Sequence, residues 1–174
     1  MSNARKEKKI CVLGDFSVGK TSLVRRYIFD EFSDHYVATV GVKIYRYQSE
    51  IKIDDDDAMV DQSIWDIEGS NFGEQLVKSY MTGASGALIV GDLTRDNTIA
   101  SITSHAEKFL EVLPGRPIVF ALNKADLVPA AERNDGSELV REFGGRVIQT
   151  SALTGDDVVA AFHEMFRRIF EIGA

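Results

Sequence analysis

The sequence predicts an α/β domain built on one mostly parallel sheet, with helices on both faces and a single antiparallel hairpin at the edge. Short apolar runs alternate along the chain with segments of helical periodicity, the pattern of strand–helix–strand units whose crossovers cover both faces of a sheet. Most of these runs are almost continuously apolar, as strands buried on both sides must be. One acidic break, IDDDDA from Ile53, joins two runs of period-two alternation and reads as a hairpin turn. With 174 residues, 44% of them apolar, the chain is long enough for one well-buried core, and dividing it would leave two small ones.

The first strand is ICVLG from Ile10. It passes through a glycine loop into KTSLVRRYIF, where Leu23, Val24, Tyr27 and Ile28 recur at helical spacing. The alternating pair spans residues 40–53 and 59–67. ALIVGDL from Ala87, PIVFALN from Pro117 and RVIQTS from Arg146 supply three more buried strands. Helices are expected near 74–82, 98–113, 132–143 and 155–171. Residues 8–174 make up the domain, behind a polar 1–7 tail read as disordered or vector-derived. No repeat, low-complexity linker or internal boundary interrupts it.

A formal net charge of −7 and a pI near 5.0 argue against a general nucleic-acid binder or a binder of anionic membranes. Cys11 is the only cysteine, so an internal disulfide is impossible and a reducing compartment is expected. No apolar run approaches the roughly 20 residues of a membrane span. The start, MSNARKEKK, lacks the apolar stretch of a secretory signal. The final RRIFEIGA carries no cysteine for prenylation. The expectation is a monomeric cytoplasmic protein with no membrane anchor of its own.

Open α/β sheets bind ligands at the carboxyl ends of their strands, and each chemically suggestive motif falls at such an end. GDFSVGKT, residues 14–21, fits G-x-x-x-x-G-K-[ST] between a strand and a helix, the setting a phosphate loop requires. The loop from Asp15 and Phe16 through Ser17, Val18 and Gly19 to Ser22 would lie against phosphates. Its N–H groups from residue 17 onward would wrap a β-phosphate, aided by the helix N-terminus. Gly14 and Gly19 permit backbone conformations that a Cβ resists. Lys20 would neutralise β/γ charge, and the Thr21 hydroxyl would ligate Mg²⁺.

NKAD, residues 123–126, selects the base. The Asp126 carboxylate can accept two hydrogen bonds, from guanine N1–H and from the exocyclic amine, and adenine offers no such pair. A base that leaves this carboxylate unpaired is strongly rejected. Asn123 would brace the loop and the Lys124 stem would lie across the base. TSAL, residues 150–153, brings Ser151, Ala152 and Leu153 to the same corner, with the Ala152 N–H placed to meet guanine O6.

GDFSVGKT, the lone threonine of YVATVGV (Thr39), WDIEG, NKAD and TSALTG together resemble the Ras superfamily of small GTPases. The flanking text, including SYMTGASGALIVGDLT and TSALTGDDV, is most similar to its Rab branch. The resemblance runs from about residue 8 to 171. It implies a P-loop NTPase fold, the small G domain, with a six-stranded sheet. It implies binding of GTP and GDP with Mg²⁺, and a switch that engages effector, exchange-factor and activator proteins. Carried over residue by residue, it implies that Phe32 packs edge-on against guanine and Tyr36 covers the γ-phosphate. Thr39 would ligate Mg²⁺ only in the GTP state, Asp66 would hold it through a water, and the Gly69 N–H would sense the γ-phosphate. Loss of one phosphate then releases Thr39 and Gly69 together.

The chain departs from that pattern at the chemistry. The family's turn continues D-x-A-G-Q-E, whereas here it is Asp66-Ile67-Glu68-Gly69-Ser70-Asn71. A glutamine orients the attacking water in Ras-type hydrolysis, and Ser70 is too short to reach. Gln75 would substitute only if the loop folded back, and Glu68 is the other candidate to orient the water. Phe16 stands in the phosphate loop where the family carries a small residue, crowding the path of a partner's arginine finger. No arginine occurs between residues 32 and 42 to supply one in cis. Lys20 of the phosphate loop and Gly69 and Ser70 of this turn are thus the catalytic positions of a chain expected to sense GTP and hydrolyse it slowly.

Other features are read more plainly. Asp54, Asp55, Asp56 and Asp57 fit no calcium loop and read as a solvated turn. His35, His105 and His163 fit no ligand spacing. Arg25 and Arg26 read as a solvated helix face, and Cys11 as strand packing. Ile44, Trp65 and Tyr80 have two open readings, as core residues or as the hydrophobic patch where Rab-like proteins bind effectors. Three functions are carried forward. The leading one is a guanine-nucleotide switch with slow intrinsic hydrolysis; behind it stand a constitutively nucleotide-bound module that never cycles and a P-loop phosphotransferase.

Overall fold

Alternation along β1 (Lys6–Gly14) sends Ile10 and Val12 into one core and Cys11 and Leu13 into another, so this strand is buried on both faces. The computed structural model describes residues 6–35, 39–68 and 73–173. After β1 come α1 (Lys20–Phe29), β2 (Val42–Ile53), β3 (Asp56–Ile67), α2 (Glu74–Met81), β4 (Gly86–Asp92), α3 (Asp96–Val112) and β5 (Ile118–Asn123). Two short 3₁₀ turns, then α4 (Ser137–Phe143), β6 (Arg146–Gln149) and α5 (Val158–Ile172), complete the chain. The sheet has six strands in the order β2-β3-β1-β4-β5-β6. Only β2 and β3 pair antiparallel; the other neighbours are parallel. Every parallel strand therefore delivers its carboxyl end to one edge of the sheet.

The helices divide between the two faces. Leu23, Val24 and Tyr27 of α1 pack with Phe162, Met165, Phe166 and Ile169 of α5 on the side of Ile10 and Val12. Met81 of α2, Ile102 and Phe109 of α3 and Leu139 of α4 cover the side of Cys11 and Leu13. The parallel rings of Tyr27 and Phe162, 4.2 Å apart, join α1 to α5. Truncating a fully buried phenylalanine such as Phe162 to alanine costs about 3–5 kcal/mol.

Four expectations are corrected. The tail ends earlier than residue 7, because β1 starts at Lys6, where the long β3 still offers Val60 and Asp61 as ladder partners. The acidic break is tighter than IDDDDA: the strands run to Ile53 and from Asp56, and Asp54, with φ 55°, turns the chain in between. The helix expected over 132–143 is interrupted. Asn134 Oδ1 accepts the Gly136 N–H and Asp135 Oδ1 accepts the Ser137 N–H, side-chain turns that compete with helix before α4 begins. The last helix starts at Val158 rather than 155, behind Asp157 in the left-handed region.

Candidate phosphate- and base-binding cavity

The carboxyl edge of the sheet opens into a cavity of about 580 Å³. Its floor is the loop between β1 and α1. A Cβ at Gly14 (φ +148°) would lie 2.3 Å from the Val90 carbonyl oxygen, and one at Gly19 (φ +102°) would lie 2.3 Å from Asn123 Nδ2. Both positions therefore demand glycine, and Gly19 leads directly into the N-terminus of α1. Lys20 is buried and donates from Nζ to its own loop, to Gly14 O at 3.0 Å and Asp15 O at 2.7 Å. Burial pushes its pKa below the usual lysine range, against the attraction of Asp66, Asp15 and Glu68.

Thr21, Thr39 and Asp66 form a second cluster at one end of the cavity. The Thr21 and Thr39 hydroxyls lie 2.7 Å apart. Thr21 donates to Asp66 Oδ2, and Thr39 approaches the same oxygen at 3.4 Å. Asp66 is fully buried, and its Oδ1 has no hydrogen-bond partner among the described residues. Burial raises its pKa, opposed by the Thr21 and Thr39 hydroxyls and the Lys20 charge. Two hydroxyls and a buried carboxylate with an orphaned oxygen make an all-oxygen donor set, the kind a hard divalent cation takes.

The base end is assembled from three loops. Asn123, at the end of β5, donates from Nδ2 to Val18 O at 3.0 Å and accepts at Oδ1 from Thr150 Oγ1 and Ala152 N, each at 3.2 Å. The Ala152 N–H thus meets Asn123 Oδ1, because β5 and the loop after β6 close tightly on each other. Asp126 is exposed to the cavity, and Ser151 Oγ donates to its Oδ1 at 2.7 Å. Lys124, in a left-handed conformation (φ 64°), stretches back to donate to Ser17 O at 3.2 Å. Phe16, Phe32 and Leu153 are partly exposed and line the wall with Ser22.

Several supporting contacts are not anticipated from the sequence. Asp92 is fully buried at the end of β4 and receives Lys124 Nζ at 2.7 Å, Arg95 Nε at 3.0 Å and Thr94 Oγ1 at 2.6 Å. Arg95 also donates to Phe16 O at 3.0 Å, and His105 Nε2 lies 2.8 Å from Asp15 Oδ1. The phosphate loop is therefore tied to α3 from outside. Arg26 is not a solvated face residue: it donates from Nε to Ala152 O and from Nη2 to Leu153 O, both at 2.8 Å. Arg133 holds Ala125 O at 2.7 Å and Val128 O at 2.8 Å, fixing the turn around Asp126. A lone acid closing an otherwise apolar run, ALIVG then Asp92, was the available sequence signal for the first of these.

Tyr36, Gly69 and Ser70 lie outside the described residues. Gln75 sits exposed on the first turn of α2, away from the described lining. Ile44 is exposed, while Trp65 and Tyr80 are half-buried with ring centroids 6.4 Å apart. Lys9 Nζ lies 3.6 Å from the Trp65 ring centroid and donates to Tyr80 O and Thr82 O at the end of α2.

Residues 9–171 match the family model described as Ras family. Ras-related protein RABA5e of Arabidopsis thaliana is 34% identical over 166 residues, covering 93% of this chain and 74% of its own. Ras-related protein Rab-11B of Dictyostelium discoideum is 32% identical over 165 residues, covering 93% and 73%. Ras-related protein Rab-22A of Homo sapiens is 30% identical over 173 residues, covering 95% and 85%.

Proposed function

This chain belongs to the Ras family, a family of GTP-binding molecular switches that hydrolyse GTP and engage effectors, and on that premise we propose that it is a guanine-nucleotide switch with unusually slow intrinsic hydrolysis. The family favours this reading over a constitutively bound module or a phosphotransferase. The observation that carries it is one cavity lined at one end by Lys20 and Thr21 and at the other by Lys124 and Asp126.

In this reading the backbone N–H groups of residues 17–22 hold the phosphates at the start of α1, and Lys20 turns from its own loop carbonyls to the phosphate charge. Asp126 reads guanine, oriented by Ser151, while Lys124 and Phe32 border the base. Thr21 and Thr39, with Asp66 behind them, are the residues that would hold Mg²⁺. Bound there, the cation would neutralise charge on the β- and γ-oxygens. Ile44, Trp65 and Tyr80 are the proposed centre of the effector surface.

Slow hydrolysis is inferred from the residue types at the catalytic positions. Phosphoryl transfer depends on positioning and charge stabilisation more than on covalent chemistry. Ser70 cannot span to an in-line water as glutamine does. The half-exposed Phe16 on the cavity wall is read as the obstacle to an activator's arginine. Arg25 reaches the cavity wall, but its guanidinium pairs with Glu31 at 3.0 Å. The direct test is to denature the purified protein and identify the nucleotide it releases. Guanine nucleotide with a high GTP:GDP ratio is expected; adenine nucleotide, or none, would contradict the proposal.

A further inference from the structure

Glu68 occupies a position where the related turn D-x-A-G carries alanine, and it does something a methyl group cannot. The last antiparallel pair of β2 and β3 is Val42 with Ile67. One residue beyond, the Glu68 N–H donates to Gly41 O at 2.9 Å, and the Gly41 N–H donates to Glu68 Oε2 at 2.8 Å. Both peptide groups of Gly41 are thus bonded to one residue, the second through a carboxylate, and hydrogen bonds to ionised acceptors are the stronger kind. Gly41 is buried with φ +76°. Across it the chain turns so that Val40 faces solvent and the Thr39 hydroxyl faces Thr21 and Asp66. Only Val40 separates the clamped glycine from Thr39.

We propose that Glu68 is a positioning residue that holds the Thr39 segment against Thr21 and Asp66 whether or not a third phosphate is bound. The inference rests on the switch reading above and deepens it. In a switch whose segments are held only by the γ-phosphate, its loss frees them. Here Gly41, two residues from Thr39, is held at both its N–H and its carbonyl by Glu68, so leaving requires breaking a charge-assisted bond within the protein. A ligand shifts a conformational equilibrium only by its differential affinity for the two states. A segment closed in advance leaves the third phosphate less to change, so the diphosphate form keeps a closed Thr39. The Glu68 side chain also lines the cavity, and its Oε2 is engaged by Gly41 in this arrangement.

Hydrogen–deuterium exchange of peptides covering residues 39–47 tests this, on protein loaded with GDP or with a non-hydrolysable GTP analogue, in wild type, Glu68→Ala and Glu68→Gln. Wild type should show similar protection with either nucleotide. Glu68→Ala should exchange about tenfold faster or more with GDP, and like wild type with the analogue. Glu68→Gln, which keeps a neutral acceptor, should restore part of the protection. Unchanged exchange in the β4 peptide reports that the fold is intact. Wild type exchanging as fast as Glu68→Ala in the GDP form, or Glu68→Ala staying protected with GDP, would overturn the proposal. Chromatography of each loaded sample keeps the two readings apart: failure to retain guanine nucleotide counts against the switch itself, whereas the latch is judged by the difference between variant and wild type.

Discussion

Asn123 Nδ2 donates to the Val18 carbonyl at 3.0 Å, so the strand that ends in the base-reading motif also holds the phosphate loop. The other end of the same amide accepts from Thr150 and Ala152. One side chain, 2% exposed, joins three loops that are far apart in sequence. Asn123→Ala leaves Val18 O and Ala152 N without this partner in a buried place. It should lower stability by about 2–3 kcal/mol and accelerate nucleotide release, measured by urea unfolding and by loss of a fluorescent GDP analogue. Unaltered release would detach the phosphate loop from the base motif.

Asp126 and its partner Ser151 give the second expectation. Asp126→Asn turns an acceptor pair into an amide and should weaken guanine binding by about 2–4 kcal/mol, the loss of charge-assisted bonds to the base. Xanthine nucleotides, with a carbonyl in place of the amine, should bind the variant better than wild type. Calorimetry with GDP and XDP decides it, and an unchanged GDP affinity would remove Asp126 from base recognition.

The third concerns pH. Burial opposes ionisation of Asp92, but hydrogen bonds from Lys124, Thr94 and Arg95 outweigh it and hold the carboxyl below its usual range. A depressed folded-state pKa means that the carboxylate adds stability above the unfolded value, about 3.9, and loses it as the pH falls through the folded value. Asp92→Asn should therefore be less stable than wild type near neutral pH, by about 1–3 kcal/mol. The two proteins should converge on acidification below about pH 4. A gap independent of pH would assign the effect to shape rather than charge.

Much of this was legible in the sequence because strands buried on both faces, such as 10–14 and 87–92, announce themselves by continuous apolarity. GDFSVGKT is legible through its two glycines, both of which the structure requires, whereas NKAD gains meaning only alongside the other motifs. What stayed hidden was contact between distant residues. Arg26 on a helix looks like any exposed cation, and only the return of the β6–α5 loop beneath it makes it a clamp. Arg133, His105 and Glu68 are hidden for the same reason: each partner lies across a loop whose path follows from tertiary packing. The interrupted helix before α4 was missed because the turns made by Asn134 and Asp135 override a weak periodic signal.

Arg26 supplies the fourth expectation. Arg26→Ala removes two donors to the carbonyls of Ala152 and Leu153 while leaving every group lining the phosphate end in place. GDP should dissociate about tenfold faster, in keeping with the loss of one or two hydrogen bonds that order the loop. Lysine, which cannot present two donors in one plane, should rescue only part of this. Stopped-flow release is the measurement, and equal rates in all three proteins would make Arg26 a stabiliser of α1 alone.

Slow hydrolysis is assigned to Ser70 and Phe16 in the proposed reading. Single-turnover hydrolysis of preloaded γ-labelled GTP, in wild type, Ser70→Gln and Ser70→Gln with Phe16→Gly, tests slow turnover most directly. Wild type should run at or below roughly 10⁻⁴ s⁻¹, the scale of unassisted Ras-type turnover. Ser70→Gln should be faster, and adding Phe16→Gly should matter chiefly when an activator that supplies an arginine is present. Fast wild-type hydrolysis, or a Ser70→Gln protein no faster than wild type, would contradict the assignment of slow chemistry to this turn.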